Sequence, residues 1–342
     1  MFHSFAARSW LVALLALVVG CGRVESQRAE KKAAAEDAGA QIDPTLPLVT
    51  LQLNWFPEVE HGGYYAALVH GYYQEAGLNV KILPGGPDTP VVQQVARRAV
   101  TFGVVNADNV LFGRAQQVPI VALMAPLQIS PRCLIVHESS GIQSFDDLKN
   151  MTIAMSSSSA FTQFLQKTLP LPGVQVVPYT GTVAIFLRRK DYAQQGYVFS
   201  EPFVARKEGG DPKVLMVSSL GFNPYTSCLF THDDQRTERP ELVRKMVEAS
   251  VRGWEQYIKA PEETNQLIHR LNPEMGLDIL EFGAKTLEPL VMDETSEQQG
   301  IGTMSRESWQ TLANQLVDTE QMKPAEVHVD QAFTTEFLPP PR

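Results

Sequence analysis

The sequence predicts an α/β fold in which two similar α/β units are joined by two connecting strands. Strand-like and helix-like runs alternate from Val49 onward, which is typical of a layered α/β sheet. The same pattern restarts at Thr152. Two segments also echo each other, Cys-Leu-Ile-Val-His at 133–137 and Cys-Leu-Phe-Thr-His at 228–232. We interpret this echo as a pair of strands that connect two lobes.

The first unit has the order βαβαβ. Gly77 suits the end of a helix, and Pro84-Gly85-Gly86-Pro87 turns the chain after the second strand. The predicted elements are strands at 49–53, 78–83 and 101–105, with helices at 64–76 and 91–97.

The second unit follows the same plan. A short predicted helix at 145–149 precedes it. Its predicted strands are 152–155, 174–178, 197–199 and 214–217, and its predicted helices are 161–167 and 185–189. Pro240 is a good first helical residue, and apolar residues recur at helical spacing from there to 258. The remainder is mainly helical, with Trp309, Leu312 and Leu316 on one face.

This order of elements indicates that one lobe is inserted within the other. We expect lobe 1 to comprise residues 48–135 and 230–342, and lobe 2 to comprise residues 136–229. A ligand would bind in the cleft between the lobes, and closure would be a hinge motion in the two connecting strands.

The amino terminus has the features of a secretory signal. Arg8 precedes an apolar run at 11–19, roughly half the ~20 residues that a spanning helix needs. Val18-Val19-Gly20-Cys21 resembles the lipobox of bacterial lipoproteins, which implies a diacylglycerol on Cys21. We expect residues 1–20 to be the signal peptide and 21–47 a flexible tether. The protein would then lie at the periplasmic face of the cell envelope, anchored to a membrane; a cleaved signal without lipid is the alternative.

Composition excludes several classes of function. The net charge is −9 and the pI is about 5.4, without a basic stripe, which argues against nucleic-acid binding. No Gly-x-Ser-x-Gly, His-Glu-x-x-His or Walker motif is present, and the seven histidines lack metal-ligand spacing. We therefore expect no metal. Cys133 and Cys228 are interpreted as buried thiols, with a disulfide as the alternative.

The segment 54–73 has the composition of a binding pocket. It brings an amide, an indole, an imidazole and phenols to the end of a strand and the start of a helix, where open α/β sheets bind ligands. Trp55 and Tyr64, together with the more distant Tyr225, could stack on a planar ring, although each aromatic could also be core. Asn54 and Asn106 could both donate to and accept from the ring edge.

Other candidate residues could contribute polar groups to the site or have local structural roles. His61 could donate to the ligand or cap the helix start, and Asp108 could orient Asn106 or face water. Ser156 and Ser157 precede a helix, so their hydroxyls and the free backbone N–H groups could hold an anion.

Several motifs resemble thiamine-pyrimidine-type binding proteins, solute-binding components of ABC importers in a group that includes sulfonate- and taurine-binding proteins. The matching segments are 54–57, 61–67, 71–78, 101–103, 141–148 and 196–202. The resemblance implies a type II periplasmic binding fold, permease and ATPase partners, and a heteroaromatic ligand such as a formylated aminopyrimidine. It also implies an acidic ligand residue at Glu201, whose alternative is a solvated loop carboxylate. We expect a monomer without a cofactor.

Several alternatives remain open. Riboflavin is a second candidate ligand, because related importers carry flavins, and a sulfonate or taurine-like anion is a third. A sensory or scaffolding lipoprotein that does not transport would belong to another class. The same family also includes a fungal pyrimidine synthase that uses pyridoxal phosphate. The resemblance implies a lysine and a histidine after its third strand, where this chain has Val105 and Asn109, and a cysteine cluster that is here reduced to Cys228. Because a Schiff base needs an amine, we predict a binding protein and not an enzyme.

Overall fold

The structure is a computed structural model that describes residues 45–340. The predicted signal peptide, Cys21 and the predicted tether up to residue 44 lie outside the described residues. Ten strands form two five-stranded sheets, each flanked by helices. The strands, numbered in chain order, are β1 (Leu48–Gln52), β2 (Asn79–Leu83), β3 (Phe102–Val105), β4 (Ile120–Met124), β5 (Arg132–His137), β6 (Thr152–Ala154), β7 (Gln175–Val177), β8 (Tyr192–Tyr197), β9 (Pro212–Met216) and β10 (Cys228–His232).

The helices pack on the faces of these two sheets, with most of the carboxyl-terminal helices on the first lobe. They are α1 (Gly62–Val69), α2 (Tyr72–Glu75), α3 (Val91–Ala96), α4 (Ala107–Ala115), α5 (Ala160–Thr168), α6 (Ala184–Arg188), α7 (Glu201–Lys207), α8 (Asp233–Glu238), α9 (Pro240–Lys259), α10 (Glu262–Leu271), α11 (Leu277–Val291), α12 (Glu294–Gln299), α13 (Arg306–Asp318) and α14 (Val329–Ala332). In the part of the chain that the structure describes, none of them has the length and apolar character needed to cross a membrane.

Both sheets are mixed and share one plan. The first has the strand order β2-β1-β3-β10-β4, in which β10 runs antiparallel to its neighbours. The second has the order β7-β6-β8-β5-β9, in which β5 runs antiparallel to its neighbours. The predicted two-lobed α/β fold with two crossovers is therefore confirmed.

The crossovers lie just before the two echoing strands. β5 pairs only within the second sheet and β10 only within the first, so neither strand spans the lobes. The chain changes lobe in 125–131 and 217–227, and these segments meet at an antiparallel bridge between Leu127 and Thr226. The predicted boundaries at 135/136 and 229/230 fall inside β5 and β10. We propose lobe boundaries, and the hinge, in the two crossover segments instead.

Some elements differ from those predicted. The single helix expected at 64–76 is two helices, because Gly71 adopts φ 73° between α1 and α2. The strand expected at 197–199 is β8, which ends at Tyr197. Its polar residues Gln194 and Gln195 are buried, so its composition does not look like that of a core strand. The predicted helix from Pro240 and the buried face of Trp309, Leu312 and Leu316 are confirmed.

The lobes contact each other on both flanks of the crossovers. On one flank, Phe203 of α7 packs against Phe282 of α11, with ring centroids 4.9 Å apart. Beside them, Lys207 Nζ lies 2.6 Å from Asp278 Oδ2. On the other flank, Lys167 Nζ of α5 lies 2.9 Å from Glu320 Oε1.

Candidate functional site

A cavity of about 240 Å³ opens where the two lobes meet. Helix α4 follows β3 in the first lobe and α5 follows β6 in the second, so the amino ends of both helices border it. This is the edge of the sheets at which α/β folds bind ligands. We call it the interlobe cavity; its walls are Asn106, Asp108, Asn109, Phe112, Ser130, Arg132, Ser158, Ser159, Ala160, Phe161, Tyr197, Phe222 and Pro224.

Arg132, the first residue of β5, carries the positive charge of the interlobe cavity. Its guanidinium carbon lies 4.2 Å from the ring centroid of Tyr197 and 4.9 Å from that of Phe161, within cation–π distance. No carboxylate among the described residues lies within ion-pair distance of this guanidinium. Its donors are therefore not consumed by an internal ion pair.

Asp108 faces Arg132 from the first turn of α4. Burial raises the pKa of Asp108, while the backbone N–H of Asn109 and the charge of Arg132 oppose that rise. Its Oδ1 atom is buried and has no hydrogen-bond partner among the described residues. A buried carboxyl oxygen without a partner is costly, so Asp108 is a candidate to receive a ligand donor.

A network of hydrogen bonds fixes the amide of Asn54 at the end of β1. Its Nδ2 donates to Glu60 Oε1 at 3.0 Å, which leaves Oδ1 to accept from His61 Nε2 at 2.9 Å. Burial lowers the pKa of His61, which favours the neutral imidazole, and its Nε2–H tautomer supplies the donor for this bond. Glu60 also accepts from Ser227 Oγ at 3.0 Å, so the network reaches the second crossover.

Glu58 lies in the same buried acidic group. Burial raises the pKa of Glu58, and the charges of Glu60 and Glu201 raise it further. The positive charge of Arg132 lowers it in part. The raised pKa favours the neutral, protonated form of Glu58 within this buried group.

Asn106 joins the two lobes, as its predicted place in the cleft requires. Its Nδ2 lies 3.4 Å from the hydroxyl of Tyr197, and its Oδ1 accepts from the backbone N–H of Ser227 at 3.3 Å. Asn106 lines the interlobe cavity, whereas Asn54 lines a groove next to it.

Three predicted ligand residues have structural roles instead. Tyr64 is fully buried, lies edge-on to Trp254 and donates to the Ser227 carbonyl at 2.7 Å. Tyr225 is buried near Trp309, and its hydroxyl accepts from the backbone N–H of Ser305 at 3.0 Å. His61 is also fully buried, so it orients Asn54 and neither caps α1 nor reaches the cavity. Rings without exposed surface cannot stack on a ligand in this conformation.

Glu201 lies behind the cavity wall. Its Oε1 accepts from the Tyr179 hydroxyl at 2.9 Å and its Oε2 from the backbone N–H of Tyr197 at 2.7 Å. Glu201 is thus not a solvated carboxylate: both of its oxygens are engaged within the second lobe, where it positions Tyr197, and its role as a ligand acceptor stays a prediction.

The predicted anion corner and Trp55 are also displaced from the interlobe cavity. Ser156 donates its backbone N–H to Gln195 Oε1 at 2.7 Å, and Ser157 is exposed. Their neighbours Ser158 and Ser159 line the cavity instead. Trp55 is half-buried and packs edge-on against Phe56, with centroids 5.4 Å apart.

Sequence reasoning missed the residues that form the cavity's charged and aromatic walls. Arg132 stands directly before the echoing strand, and Tyr197 lies within the Gly196–Pro202 motif, so both had a local signal. For Phe161 the sequence predicts only a place in a helix. Phe112 and Phe222 are brought to the cavity by tertiary structure.

Cys133 and Cys228 are both buried and unbridged. Burial raises the pKa of each thiol, which keeps both in the unreactive protonated form. Among the described residues, no group of three or more His, Cys, Asp or Glu side chains is arranged to hold a metal ion.

Two α/β lobes with a cavity at their junction define the fold of periplasmic binding proteins. The periplasmic aliphatic sulphonate-binding protein SsuA of Escherichia coli superposes with a TM-score of 0.65 at 13% identity, covering 84% of this chain and 92% of SsuA. The chain belongs to the NMT1/THI5-like family, which matches residues 58–264.

The relatives of this chain include proteins named as binding proteins and a protein named as a synthase. It is 27% identical to the riboflavin-binding protein RibY of Chloroflexus aurantiacus, over 96% of both chains. It is 20% identical to a formylaminopyrimidine-binding protein of Halalkalibacterium halodurans, over 89% of this chain and 94% of the relative. A 4-amino-5-hydroxymethyl-2-methylpyrimidine phosphate synthase of Legionella pneumophila is 24% identical, over 85% of this chain and 92% of that enzyme.

Proposed function

We propose that this chain is the solute-binding component of an ABC importer and holds a small heteroaromatic solute in the interlobe cavity. The observation that carries this proposal is the combination of aromatic walls, Arg132 and the amide of Asn106 at the junction of two lobes. Aromatic faces suit a planar ring, and an amide and a guanidinium suit the nitrogen and oxygen atoms at its edge.

A formylated aminopyrimidine, as a thiamine precursor, is the first candidate ligand. The interlobe cavity, at about 240 Å³, is smaller than the roughly 300–1,000 Å³ of sites for drug-sized molecules. A single ring with a short arm suits that volume. The name of the Halalkalibacterium halodurans relative supports the same ligand class.

Riboflavin is the second candidate, and a specific observation favours it. The relative named for riboflavin binding aligns over 96% of both chains. A flavin needs more room than the interlobe cavity alone provides. A sulfonate is the third candidate, for which Arg132 and the serines before α5 would be the anion ligands.

The residues argue against synthase chemistry. Pyridoxal phosphate is held through a Schiff base to a lysine, whereas the corresponding position here is Val105, a nearly buried side chain without an amine. Cys228, which remains from the cysteine cluster, is buried as well. These residues do not fit the cofactor, so we propose binding without catalysis.

Isothermal titration calorimetry with formylaminopyrimidine, riboflavin and taurine tests the proposal. We expect one of the two ring compounds to bind. Asn106→Ala should weaken binding of that ligand by about fivefold, because one hydrogen bond to a ring edge is worth roughly 1 kcal/mol. Asn314→Ala on the exposed face of α13 is the matched control. Heat from taurine alone would reject a heteroaromatic ligand.

The partners and the anchor need separate experiments. We propose that Cys21 carries the lipid and that the protein delivers its solute to permease and ATPase subunits. Metabolic labelling with a fatty acid should mark the wild type and not Cys21→Ala. Uptake of the identified ligand into cells should require the protein; normal uptake in its absence would favour a sensory or scaffolding role.

A further inference from the structure

A second cavity of about 320 Å³ adjoins the interlobe cavity on the first lobe. It is an open groove between the 87–93 segment, where α3 begins, and the outer side of α4. Asn109 and Phe112 line both cavities, so the two share one wall. We call this second cavity the side groove.

The side groove has polar groups of a single kind. Four carboxamides and one hydroxyl line it, and its other walls are proline, valine, phenylalanine and glycine. No acidic, basic or histidine side chain is among its lining residues, in contrast to Arg132 and Asp108 in the interlobe cavity. The polar groups are Asn54, Thr89, Gln93, Asn109 and Gln116.

This lining matches a neutral chain of hydroxyl groups. A carboxamide presents both donors and an acceptor, and a hydroxyl does the same, so each can pair with an alcohol in either sense. An anionic or cationic substituent would find no counter-charge there. A formylamino arm, with one donor and one acceptor, would use only a small part of this surface.

One of the carboxamides is already held in place. Glu60 and His61 fix the orientation of the Asn54 amide, which is half-buried at the floor of the side groove. The second N–H of Asn54 Nδ2 remains available to a ligand oxygen. A donor that is oriented before binding costs less entropy when the ligand arrives.

We propose that the two cavities are two compartments of one binding site. The interlobe cavity takes the heteroaromatic ring, and the side groove takes an uncharged polyhydroxyl chain attached to it. This inference rests on the proposed function. Among its candidate ligands it selects rings that carry such a chain, as riboflavin does, over a formylated aminopyrimidine.

The test compares riboflavin with lumiflavin, which keeps the flavin ring and replaces the ribityl chain by a methyl group. Calorimetry on the wild-type protein should give at least tenfold tighter binding for riboflavin. In the double variant Thr89→Val/Gln93→Met, which retains side-chain size and neutrality, that ratio should fall to about twofold, with lumiflavin affinity unchanged. Thr311→Val/Gln331→Met, at exposed positions outside both cavities, should keep the wild-type ratio.

Four results would overturn the inference, and they differ in what they mean for the proposed function. Equal affinity for riboflavin and lumiflavin would reject the side groove as a subsite while a ring-binding function stands. The same holds if formylaminopyrimidine binds and neither flavin does. If none of the three compounds binds, the proposed function fails together with the subsite. If the double variant keeps the full riboflavin preference, the ribityl chain binds outside the side groove.

Discussion

Three carboxyl groups and one guanidinium meet at the junction of the lobes. Glu58 and Glu60 come from the first lobe, while Glu201 and Arg132 come from the second. Glu60 and Glu201 each accept two hydrogen bonds, so their lone pairs are partly used within the protein. Glu58 instead has its pKa raised, with burial as the main cause. The acidic group therefore serves to hold neighbours in place more than to meet a ligand.

Replacing Glu58 by Gln should stabilise the protein at high pH. A carboxyl group whose folded-state pKa lies above its ordinary value near 4.5 binds more protons in the folded state than in the unfolded state. Its contribution to stability is therefore full below pH 4.5 and is lost as the pH rises towards the folded-state pKa. Glu58→Gln removes this loss, and we expect it to raise the unfolding free energy at pH 8 by on the order of 1 kcal/mol.

Urea denaturation at pH 4 and pH 8 measures this effect. At pH 4 the variant and the wild type should be similar, because Glu58 is protonated in both folded and unfolded chains to a large extent. Glu238→Gln, at the exposed carboxyl end of α8, is the control and should change stability little at either pH. A loss of stability in Glu58→Gln at pH 8 would show that an ionised Glu58 is needed.

The thiols of Cys133 and Cys228 should not react in the folded protein. Both side chains are buried, and burial raises the pKa of each thiol. In a Cys21→Ala variant, a thiol reagent should label no group at pH 8 under native conditions and two groups in denaturant. Rapid labelling of the native protein would mean that one strand opens more readily than the structure indicates.

Helix α1 packs against α9 through glycines that nothing larger can replace. A Cβ on Gly63 would overlap the indole of Trp254, and one on Gly62 would overlap the ring of Tyr257. On the facing helix, a Cβ on Gly253 would overlap the Gly63 carbonyl. The pair of glycines that the sequence places before the aromatic run thus lets two helices approach closely.

Gly63→Ala should destabilise the protein by about 1–3 kcal/mol, the usual cost of overpacking a core. The physical reason is the overlap with Trp254, which is itself fully buried and has no space to move into. Gly86→Ala is the matched control, because its added methyl would meet Phe56 at an ordinary 3.4 Å. Thermal unfolding of both variants measures the difference; similar melting temperatures would indicate that α9 can shift.

At the scale of elements, prediction succeeded where periodicity and turn residues agree. The helix from Pro240 has both, and the structure has it at Pro240–Lys259. The prediction of β8 failed, because Gln194 and Gln195 do not look like core residues. They are buried by the neighbouring strands, which are distant in sequence. The break at Gly71 was missed because a helical pattern continues on both sides of it.

For the whole molecule, the two lobes are held together by contacts that closure would make or break. The ion pair between Lys207 and Asp278 joins α7 of the second lobe to α11 of the first, and both side chains are about half exposed. An exposed pair contributes at most about 1 kcal/mol, so it can adjust the balance between open and closed forms without deciding the fold.

Lys207→Glu should weaken ligand binding by about two- to fivefold, mainly through faster dissociation. Two carboxylates would then face each other across the lobes and favour opening. The effect should vanish in about 1 M salt, where exposed charges are screened. Lys285→Glu is the matched control, because Lys285 pairs with Glu281 inside α11 and not across the lobes.

Stopped-flow binding at low and high salt measures both rates for the two variants. Equal dissociation rates for Lys207→Glu and the wild type at low salt would mean that this flank does not take part in closure.

The sequence by itself determined the α/β class, the two-unit plan and the approximate position of the ligand edge. These follow from alternation, turn residues and the echo of two strands, all of which are local signals. Asn54 and Asn106 come directly after predicted strands, and in the structure they line adjoining cavities.

Only the tertiary structure decided which side chains face the interlobe cavity. Tyr64, Tyr225 and Glu201 have the right chemistry for a site, yet each finds its partners inside the protein. Arg132 and Tyr197 face the interlobe cavity because two strands distant in sequence pair side by side in the second sheet. Burial and partner choice depend on contacts between distant segments, and composition carries no record of those contacts.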